Sequence, residues 1–406
     1  MARRVAHIIP TDRIAYYMQR VRLQYFQRAG FEVTIICGRS SSGLPSSAER
    51  ALSAAAGKGT TSYGDELARC GLEVIYIPFA REIAPLTDLR CAVEMLSQIR
   101  CGAFDIIHSH NPKGGLLSPP VAQLAGAPAV IHTVHGFLFN ENTRGLSQAL
   151  AMAAERWTAS WCDHLLFQSE EDFDFARRHW FKREEQLHLI GNGIDEERFN
   201  PDRYPGASQS VRQEFGWDSS HLVVGAVGRL VVEKGYVEFF AIAERLAAEF
   251  PEVRFLIVGI SEEDQSDALD PRSLIERHGL SGRCVVLERR SDMPELYLAM
   301  DLLIHPSYRE GLSRTLLEAS GMGTALVAGD IRGSREIIED GITGLLVPTK
   351  DVSAFTAAAT RLLSNQELRD ELGRRGRLRV LERYTEAKTA ARITTCYEQI
   401  LDRPRS

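Results

Sequence analysis

Twelve short apolar runs, in two sets of six, most strongly constrain the fold of this chain. They are rich in Val, Ile and Leu and do not alternate with polar residues, which is typical of strands buried on both faces of a parallel sheet. Segments with helical patterning separate them, so the sequence predicts an α/β fold with two doubly wound, Rossmann-like domains. The runs are residues 5–9, 32–37, 73–77, 105–109, 129–134 and 164–168, then 221–228, 253–259, 284–288, 301–305, 325–329 and 344–348.

The segments between the runs indicate how the domains are organised. ERFNPDRYPGASQSVRQEF joins the two sets, and its Pro, Gly and Ser content is typical of an interdomain connection. Residues 39–62 are rich in small side chains and are expected to form a loop or insertion in the first domain. Because open parallel sheets bind ligands at the carboxyl ends of their strands, we expect the chemistry between the domains, on loops that follow strands.

Helical spacing is clear after the first run. In RIAYYMQRVRLQYFQRAG, apolar residues at 14, 17, 18, 21 and 25 predict one buried helix face, and Gly30 is placed to end the helix. At the other end of the chain, AKTAARITTCYEQILDRPRS predicts a helix with a frayed tail.

Composition excludes several classes of protein. A net charge of −6 over 406 residues argues against a general nucleic-acid-binding protein. The seven cysteines form no CxxC pair, which indicates a reducing compartment and neither a disulfide framework nor a zinc site. No apolar stretch resembles a signal peptide or a membrane span. We expect a cytoplasmic protein.

The loop after residues 221–228 carries two cations. Gly228 ends the run, Arg229 and Lys234 follow, and Gly235 closes the loop. Arginine can bind two phosphate oxygens, lysine adds a point charge, and glycine lets backbone N–H groups approach, so the loop suits a diphosphate. The alternative is a solvated loop with incidental charges, Glu233 among them.

The stretch REGLSRTLLEAS, residues 309–320, contains two glutamates eight positions apart. Thr315 and Glu318 fit a capping box, so Glu318 could simply close a helix start. Alternatively, Glu310 and Glu318 each bind a pair of sugar hydroxyls, while the backbone of Gly311–Ser313 opens a helix whose N–H groups attract a phosphate. A nucleotide-sugar has two diols separated by a diphosphate, which matches this arrangement.

Histidines follow two strands of the first set. HSHNPKGG contains His108, His110 and Lys113, and TVHGF contains His135 and Gly136. A zinc site is not favoured, since no carboxylate or cysteine stands at ligand spacing. His108 is expected to belong to its strand, and His135 is the stronger functional candidate.

The chain resembles the retaining glycosyltransferases of family 4, which have the GT-B fold. The resemblance covers nearly the whole chain. It is similar to the subgroup that builds capsular, exopolysaccharide, O-antigen or lipid-linked oligosaccharides. The matching segments are IPFAREIAPLTDL, HSHNPKGGLL, TVHGF, GNGID with RF, VGRLVVEKG, FLIVG, SDMPELYLAMDLLIHPSYREGLSRTLLEASGMG and REIIEDGITGLLV.

The resemblance implies roles for particular residues. On the donor side these are Gly228, Arg229 and Lys234 at the diphosphate, Glu310 near the hexose, Glu318 near the ribose, Gly311, Leu312 and Ser313 as a backbone cradle, and Arg290 near the base. On the acceptor side they are His135 beside the reacting centre, with His110, Lys113 and Gly136. Catalytic roles fall to His135, Glu310, Arg229 and Lys234.

The resemblance also implies domain limits. The first domain would span 1–198 and take back a C-terminal helix, 385–406, while the donor domain would span 205–384. Two departures stand out. PTDRIAYY lacks the glycine pair that many relatives have after the first strand, and VLERRSD has Glu288 where a glycine is common, which leaves base recognition near Arg290 open.

The implied function is transfer of a hexose or N-acetylhexosamine, with retention, from a nucleotide-sugar, with UDP favoured. The acceptor would be a saccharide or a polyprenyl-diphosphate-linked sugar in surface polysaccharide biosynthesis. No cofactor or metal is expected, because cationic side chains replace a DxD-type carboxylate pair. Two alternatives remain at this point: a nucleotide-sugar epimerase, and a non-catalytic nucleotide-sugar-binding subunit.

Two cationic clusters favour peripheral binding to an anionic membrane surface, on the inner face of the cell membrane. Residues 1–30 contain six arginines and one acid, and RRHWFKR, residues 177–183, mixes cations with Trp180 and Phe181. The alternative is that Tyr17, Val21 and Tyr25 are core residues and the arginines only solvate the helix. No nucleic-acid partner is expected.

Overall fold

The computed structural model describes residues 2–40, 62–79, 84–110, 112–139, 143–259, 267–288 and 290–402. The chain divides into two compact units. Unit 1 comprises Met1–Asn192 and Glu386–Ser406, and unit 2 comprises Gly193–Thr385. Residues 193–198, which the sequence assigned to the first domain, lie in unit 2. The reason is that Ile194 forms a β-bridge with Thr385 and packs with Phe199 in the core of unit 2.

Unit 1 contains a parallel sheet in the order β3-β2-β1-β4-β5-β6-β7. All six predicted strands are present. The seventh was missed because its three residues, Leu-His-Leu, are too few to form a recognisable apolar run. The strands are β1 Arg3–Thr11, β2 Phe31–Gly38, β3 Glu73–Tyr76, β4 Ile106–His110, β5 Val130–Val134, β6 His164–Phe167 and β7 Leu187–Leu189.

Helices cover both faces of this sheet. Most of the segment predicted as a loop, 41–61, lies outside the described residues, as do 403–406 of the predicted frayed tail. The helices of unit 1 are Asp12–Ile14, the π-helical Ala15–Gln19, Arg20–Arg28, Tyr63–Arg69, Pro85–Gly102, Pro112–Ala125, Gly145–Trp161, Glu170–Arg178, the 3-10 turn Glu184–Gln186, and the C-terminal helix Glu386–Leu401.

The buried face of the first helical segment differs from the predicted one. Tyr17 and Met18 lie within the π-helical turn Ala15–Gln19 and are 37% and 38% exposed, contrary to their predicted place in the core. The buried side chains are instead Ala15, Gln19, Arg22, Leu23 and Phe26.

Unit 2 repeats the plan with a six-stranded parallel sheet in the order β10-β9-β8-β11-β12-β13. All six predicted strands are present. The strands are β8 Leu222–Val227, β9 Val253–Val258, β10 Cys284–Leu287, β11 Leu302–His305, β12 Ala325–Gly329 and β13 Leu345–Val347. The helices are the 3-10 turns Pro201–Arg203 and Val232–Lys234, with Ala207–Glu214, Tyr236–Glu249, Pro271–Arg277, Met293–Ala299, Arg314–Gly321, Arg332–Ile337, Val352–Leu363 and Gln366–Arg383.

Each sheet has a point where the strand order reverses. In unit 2, β8 leads to β9 on one side, and the chain later returns as β11 on the other side. In unit 1 the same reversal separates β1 from β4. The loops after such strand pairs diverge and leave room for a ligand. Among the described helices, none has the length and hydropathy required to cross a bilayer.

A buried ion pair ties the C-terminal helix into unit 1. Arg22 Nε lies 2.9 Å from Glu386 Oε2, and these two side chains are 2% and 3% exposed. Arg22 Nη2 also donates to Asn192 Oδ1 at 2.8 Å. The arginine counted in the predicted cationic membrane surface is therefore internal, and it joins three distant parts of the sequence.

We expect Glu386→Ala to lower the free energy of unfolding of unit 1 by about 3–5 kcal/mol, because it leaves a buried guanidinium without its carboxylate. Urea unfolding followed by tryptophan fluorescence measures this, in a Trp217→Phe background that leaves only Trp157, Trp161 and Trp180 of unit 1. Glu94→Ala is the matched control. It removes an exposed ion pair with Arg90 and should cost no more than about 1 kcal/mol. Equal losses in both variants would contradict a structural role for the buried pair.

Candidate functional site

The loops after β8 and β11 bring three polar side chains of unit 2 together. Lys234 Nζ lies 2.6 Å from Glu310 Oε1, and His305 Nε2 lies 2.9 Å from the same oxygen. Ser313 Oγ is 3.3 Å from His305 Nε2. Lys234 and Glu310 were both predicted as site residues. His305 was missed, although its position as the last residue of a buried strand was a usable signal.

The surroundings of Glu310 fix its charge. Its side chain is 14% exposed, and burial alone would raise its pKa. The Lys234 ammonium and the hydrogen bond from His305 outweigh burial and hold the pKa of this carboxyl well below its usual range. Glu310 is therefore ionised at neutral pH and can only accept hydrogen bonds.

Glycines allow the loops of this site to approach each other closely. Gly235 has φ +73°, and a Cβ atom there would lie 2.2 Å from the Pro306 carbonyl oxygen, in the loop after β11. Likewise, a Cβ on Gly333 would lie 1.4 Å from the carbonyl oxygen of Gly311. A larger residue at Gly235 would push the loops after β8 and β11 apart, and one at Gly333 would push the helix Arg332–Ile337 away from the loop after β11. The role of Gly333 was not visible in the sequence.

The helix Arg314–Gly321 begins after Ser313, and the Ser313 side chain makes no capping hydrogen bond. The capping-box interpretation of Thr315 and Glu318 is wrong, because both residues lie within the helix. Ser313 and Leu312 are buried, and Gly311 precedes them at the helix start. The first backbone N–H groups of this helix have no intrahelical acceptor and form an electropositive end beside Glu310.

Glu318 lies on the second turn of that helix. Tyr297 donates its hydroxyl to Glu318 Oε2 at 3.2 Å, and Arg314 Nη2 lies 3.3 Å from Oε1. The Glu318 side chain is 16% exposed. These contacts orient the carboxylate without closing a helix start.

The two predicted donor-site arginines have different surroundings. Arg229 directly follows Gly228 at the end of β8 and is half-buried. Arg290 is held by two protein carboxylates: its guanidinium donates to Asp292 at 2.6 and 2.8 Å and to Glu214 at 2.7 and 3.1 Å. These bonds, the one to Asp292 first, raise the pKa of Arg290. Arg290 is thus engaged in the framework of unit 2, and its contact with a base stays a prediction.

In unit 1 the predicted acceptor-side residues lie at the carboxyl ends of β4 and β5. His110 is buried, with Nε2 3.0 Å from His7 Nδ1 and Nδ1 3.2 Å from His135 Nε2. His135 is half-buried, and Gly136 beyond it has φ +138°. Lys113 Nζ is 2.7 Å from Asp88 Oδ1. His110, His135 and Gly136 are therefore close together. Lys113 instead forms an ion pair with Asp88, in the first turn of the helix Pro85–Gly102.

His108 belongs to β4, as predicted, and it is buried with His7 and His110. Among the described residues, these three histidines form one group that could hold a metal ion. Their ring nitrogens are already engaged, however: His108 contacts the Tyr397 hydroxyl and Thr133 Oγ1, and His7 contacts His110 and Tyr397. This donor set fits a network of hydrogen-bonded imidazoles better than a metal site.

Two family models match the chain. Glycosyltransferase Family 4 matches residues 23–198, and Glycosyl transferases group 1 matches residues 208–379. Together they cover most of both units, including His108, His110 and His135 of unit 1 and the Lys234–Glu310 pair of unit 2.

Curated relatives are similar over most of their length. UDP-Gal:alpha-D-GlcNAc-diphosphoundecaprenol alpha-1,3-galactosyltransferase of Escherichia coli is 26% identical over 86% of this chain and 86% of the relative. N,N'-diacetylbacillosaminyl-diphospho-undecaprenol alpha-1,3-N-acetylgalactosaminyltransferase of Campylobacter jejuni is 25% identical over 84% of this chain and 89% of the relative.

Solved structures share the fold. A glycosyltransferase from Rickettsia africae superposes with a TM-score of 0.75 at 17% identity, covering 99% of this chain and 100% of its own. Anabaena Alr3699/HepE in complex with UDP-glucose has a TM-score of 0.76 at 17% identity, covering 98% and 99%. Two parallel sheets, two matched family models and these shared folds agree, and the chain belongs to the family 4 glycosyltransferases with a GT-B fold.

Proposed function

We propose that the protein transfers a hexose or N-acetylhexosamine from a UDP-sugar to a saccharide or polyprenyl-diphosphate-linked acceptor in surface polysaccharide biosynthesis. The transfer retains the anomeric configuration and needs no metal ion or cofactor. The observation that carries the proposal is the meeting of Lys234, Glu310 and the uncapped helix start at the strand-order reversal of unit 2.

The substrate classes are supported by the relatives. The names of the Escherichia coli and Campylobacter jejuni enzymes specify diphosphoundecaprenol-linked acceptors, and the galactosyltransferase uses UDP-Gal. Anabaena Alr3699/HepE was crystallised with UDP-glucose. A nucleoside diphosphate and a hydroxyl-rich sugar are also the ligands that a cation, a carboxylate and the N–H groups of a helix start would bind together.

The leaving diphosphate is stabilised in this proposal by positive groups of unit 2. Arg229 and Lys234 supply full charges, and the backbone of Gly311–Ser313 supplies N–H donors at a helix start. Glu310 occupies one donor direction of Lys234 and so orients the ammonium, whose other N–H bonds can bind phosphate oxygens. These fixed cations do the work that a divalent metal performs in other sugar-transfer sites.

Glu310 acts as a hydroxyl-binding group and not as the nucleophile. A carboxylate held ionised by Lys234 and His305 has low basicity, which disfavours attack on the anomeric carbon but suits acceptance of hydrogen bonds from a sugar diol. Glu318, oriented by Tyr297 and Arg314, binds the ribose hydroxyls in the same way.

The anomeric configuration is retained because the acceptor hydroxyl attacks the anomeric carbon from the same face as the departing diphosphate. The bond from the anomeric carbon to the phosphate oxygen breaks, and the bond to the acceptor oxygen forms on the same face. The acceptor proton passes to the departing phosphate oxygen, so no protein base is required at that position. On the acceptor side, we assign His135 and Gly136 to the reacting sugars, and His110 and Lys113 to the acceptor.

Membrane attachment also stays a proposal. Trp180 supports it, because the side chain is 85% exposed and φ is +53°, a conformation rare for residues other than glycine. The nearby charge supports it less, since Arg177 pairs with Asp174 and Glu184. We expect Trp180→Ala to reduce co-sedimentation with anionic liposomes more than Arg177→Ala does. A larger loss of co-sedimentation in Arg177→Ala than in Trp180→Ala would favour the charge-driven attachment expected from the sequence.

We expect Lys234→Ala to lower kcat for UDP release from the UDP-sugar by about 10²–10³, because it removes a charge that stabilises the departing diphosphate. A screen of UDP- and GDP-sugars first identifies the donor. Lys388→Ala, which truncates an exposed lysine of the C-terminal helix, is the control and should keep full activity. Wild-type turnover in folded Lys234→Ala would contradict the proposed donor site.

The same assay in the presence of EDTA tests metal independence. We expect the rate to be unchanged, because Arg229, Lys234 and the helix start supply the positive charge. A strict requirement for added Mn²⁺ or Mg²⁺ would contradict this part of the proposal. A donor-only incubation that yields an isomerised sugar would instead indicate an epimerase.

A further inference from the structure

A continuous row of side chains crosses one face of the unit 1 sheet, and we call it the histidine chain. The β-sheet register places His7 beside His108 and His110 beside Thr133, so all four side chains point to the same face. The C-terminal helix packs on this face and contributes Tyr397. The chain consists of His135, His110, His7, Tyr397, His108 and Thr133.

Hydrogen-bonding contacts connect the members in that order. His135 Nε2 is 3.2 Å from His110 Nδ1, and His110 Nε2 is 3.0 Å from His7 Nδ1. His7 Nε2 lies 3.4 Å from the Tyr397 hydroxyl. That hydroxyl also contacts His108 Nδ1, and His108 Nε2 lies 2.6 Å from Thr133 Oγ1.

The buried rings of this chain are neutral. His7, His108 and His110 are at most 2% exposed, and burial lowers the pKa of His7 to about 3. Burial likewise lowers the pKa of His108 and His110 well below the usual histidine value, with the neighbouring imidazoles contributing. A neutral imidazole has one N–H donor and one acceptor nitrogen, so each ring must donate on one side and accept on the other.

When the Tyr397 hydroxyl donates to one of its two histidines and accepts from the other, two arrangements of protons satisfy this condition along the whole chain. In one, every N–H points away from His135: His135 donates to His110, His110 to His7, and His7 to Tyr397, which donates to His108. In the other, every donor is reversed. In the first arrangement, Nδ1 of His135 carries no proton and is an acceptor. In the second arrangement, Nδ1 of His135 carries the proton.

Tyr397 selects between the two arrangements. Its hydroxyl makes a close contact with His108 Nδ1, whereas its distance to His7 Nε2 is 3.4 Å. A phenol is a better donor than acceptor, so the hydroxyl proton belongs in the closer contact, on the line to His108. His108 then donates from Nε2 to Thr133, and the first arrangement follows for the remaining rings.

We propose that the histidine chain is a positioning device: it holds His135 in the Nε2–H form, so that Nδ1 accepts a hydrogen bond from a hydroxyl of the sugar substrates. His110, His7, Tyr397, His108 and Thr133 act through His135 and are positioning residues. The role in the reaction rests on the proposed function, which assigns His135 to the reacting sugars. The arrangement of protons rests on the contacts alone.

The proton arrangement is measured directly by two-bond ¹H–¹⁵N correlation spectra of protein labelled with ¹⁵N-histidine. The His135 signals are assigned by comparison with His135→Gln. We expect the pattern of an imidazole protonated on Nε2 and unprotonated on Nδ1. A wild-type protein with His135 protonated on Nδ1 would overturn the proposal.

One variant tests the chain at a position remote from His135. Tyr397→Phe removes the acceptor for His7 Nε2–H, so His7 should move its proton to Nδ1 and reverse the donors of His110 and His135. If Tyr397→Phe does not fold, the wild-type spectrum still decides. An unchanged His135 signal in folded Tyr397→Phe overturns the proposal.

Ser109→Ala is the matched control. Ser109 contacts His132 Nδ1 at 2.8 Å on the opposite face of the same strands, so its loss should alter the His132 signal and leave His135 unchanged. A shift of His135 in this control as large as in Tyr397→Phe would overturn transmission through the chain, since general loosening of the sheet would then explain both.

Kinetics separates this inference from the proposed function. In Tyr397→Phe, kcat for UDP release should fall in proportion to the remaining fraction of the Nε2–H form, with KM for the donor unchanged. Unchanged kcat despite a reversed His135 overturns the positioning role. Full activity in His135→Ala would instead remove the assignment of His135 to the reaction, while the spectra would still report on the chain.

Discussion

The pairing of β8 with β11 in parallel is the constraint on which the donor site depends. Leu302 and Leu303 lie in register with Val224 and Gly225, so the two strands end at the same edge of the sheet. Lys234 and Glu310 are 76 residues apart in the chain, and no local preference could bring them together. Strand pairing in the sheet brings the two side chains together. Because the strand order reverses here, no neighbouring crossover connection covers either loop.

Formation of this polar cluster costs free energy. A partly buried carboxylate loses hydration, and its attraction to a nearby ammonium offsets that loss only when the geometry is good and further hydrogen bonds are made. Glu310 has both Lys234 and His305 at hydrogen-bonding distance from one oxygen. A site of this kind contributes little to stability, but it holds charges in place before the substrate arrives, which is what stabilisation of a leaving diphosphate requires.

Much of this architecture could be predicted from the sequence, because buried parallel strands carry unalternating apolar runs. All twelve predicted strands are present, and Lys234 and Glu310 do meet after their strands. Features that depend on tertiary context could not be predicted. Tyr17 and Met18 lie on the exposed side of their helical segment, and Arg22 is internal, where it pairs with Glu386 from the far end of the chain. The residues Thr315 and Glu318 fit a capping-box pattern, but the helix begins after Ser313.

The central claim is that Lys234 and Glu310 form one functional unit, and a double-mutant cycle on kcat/KM for the donor tests it most directly. Lys234→Ala, Glu310→Ala and the double variant are compared with the wild type under the same conditions. Because the two side chains contact each other, loss of either should disable the other. The account predicts that the double variant loses little more activity than the more damaged single variant. Losses that multiply, as for two independent residues, would contradict it.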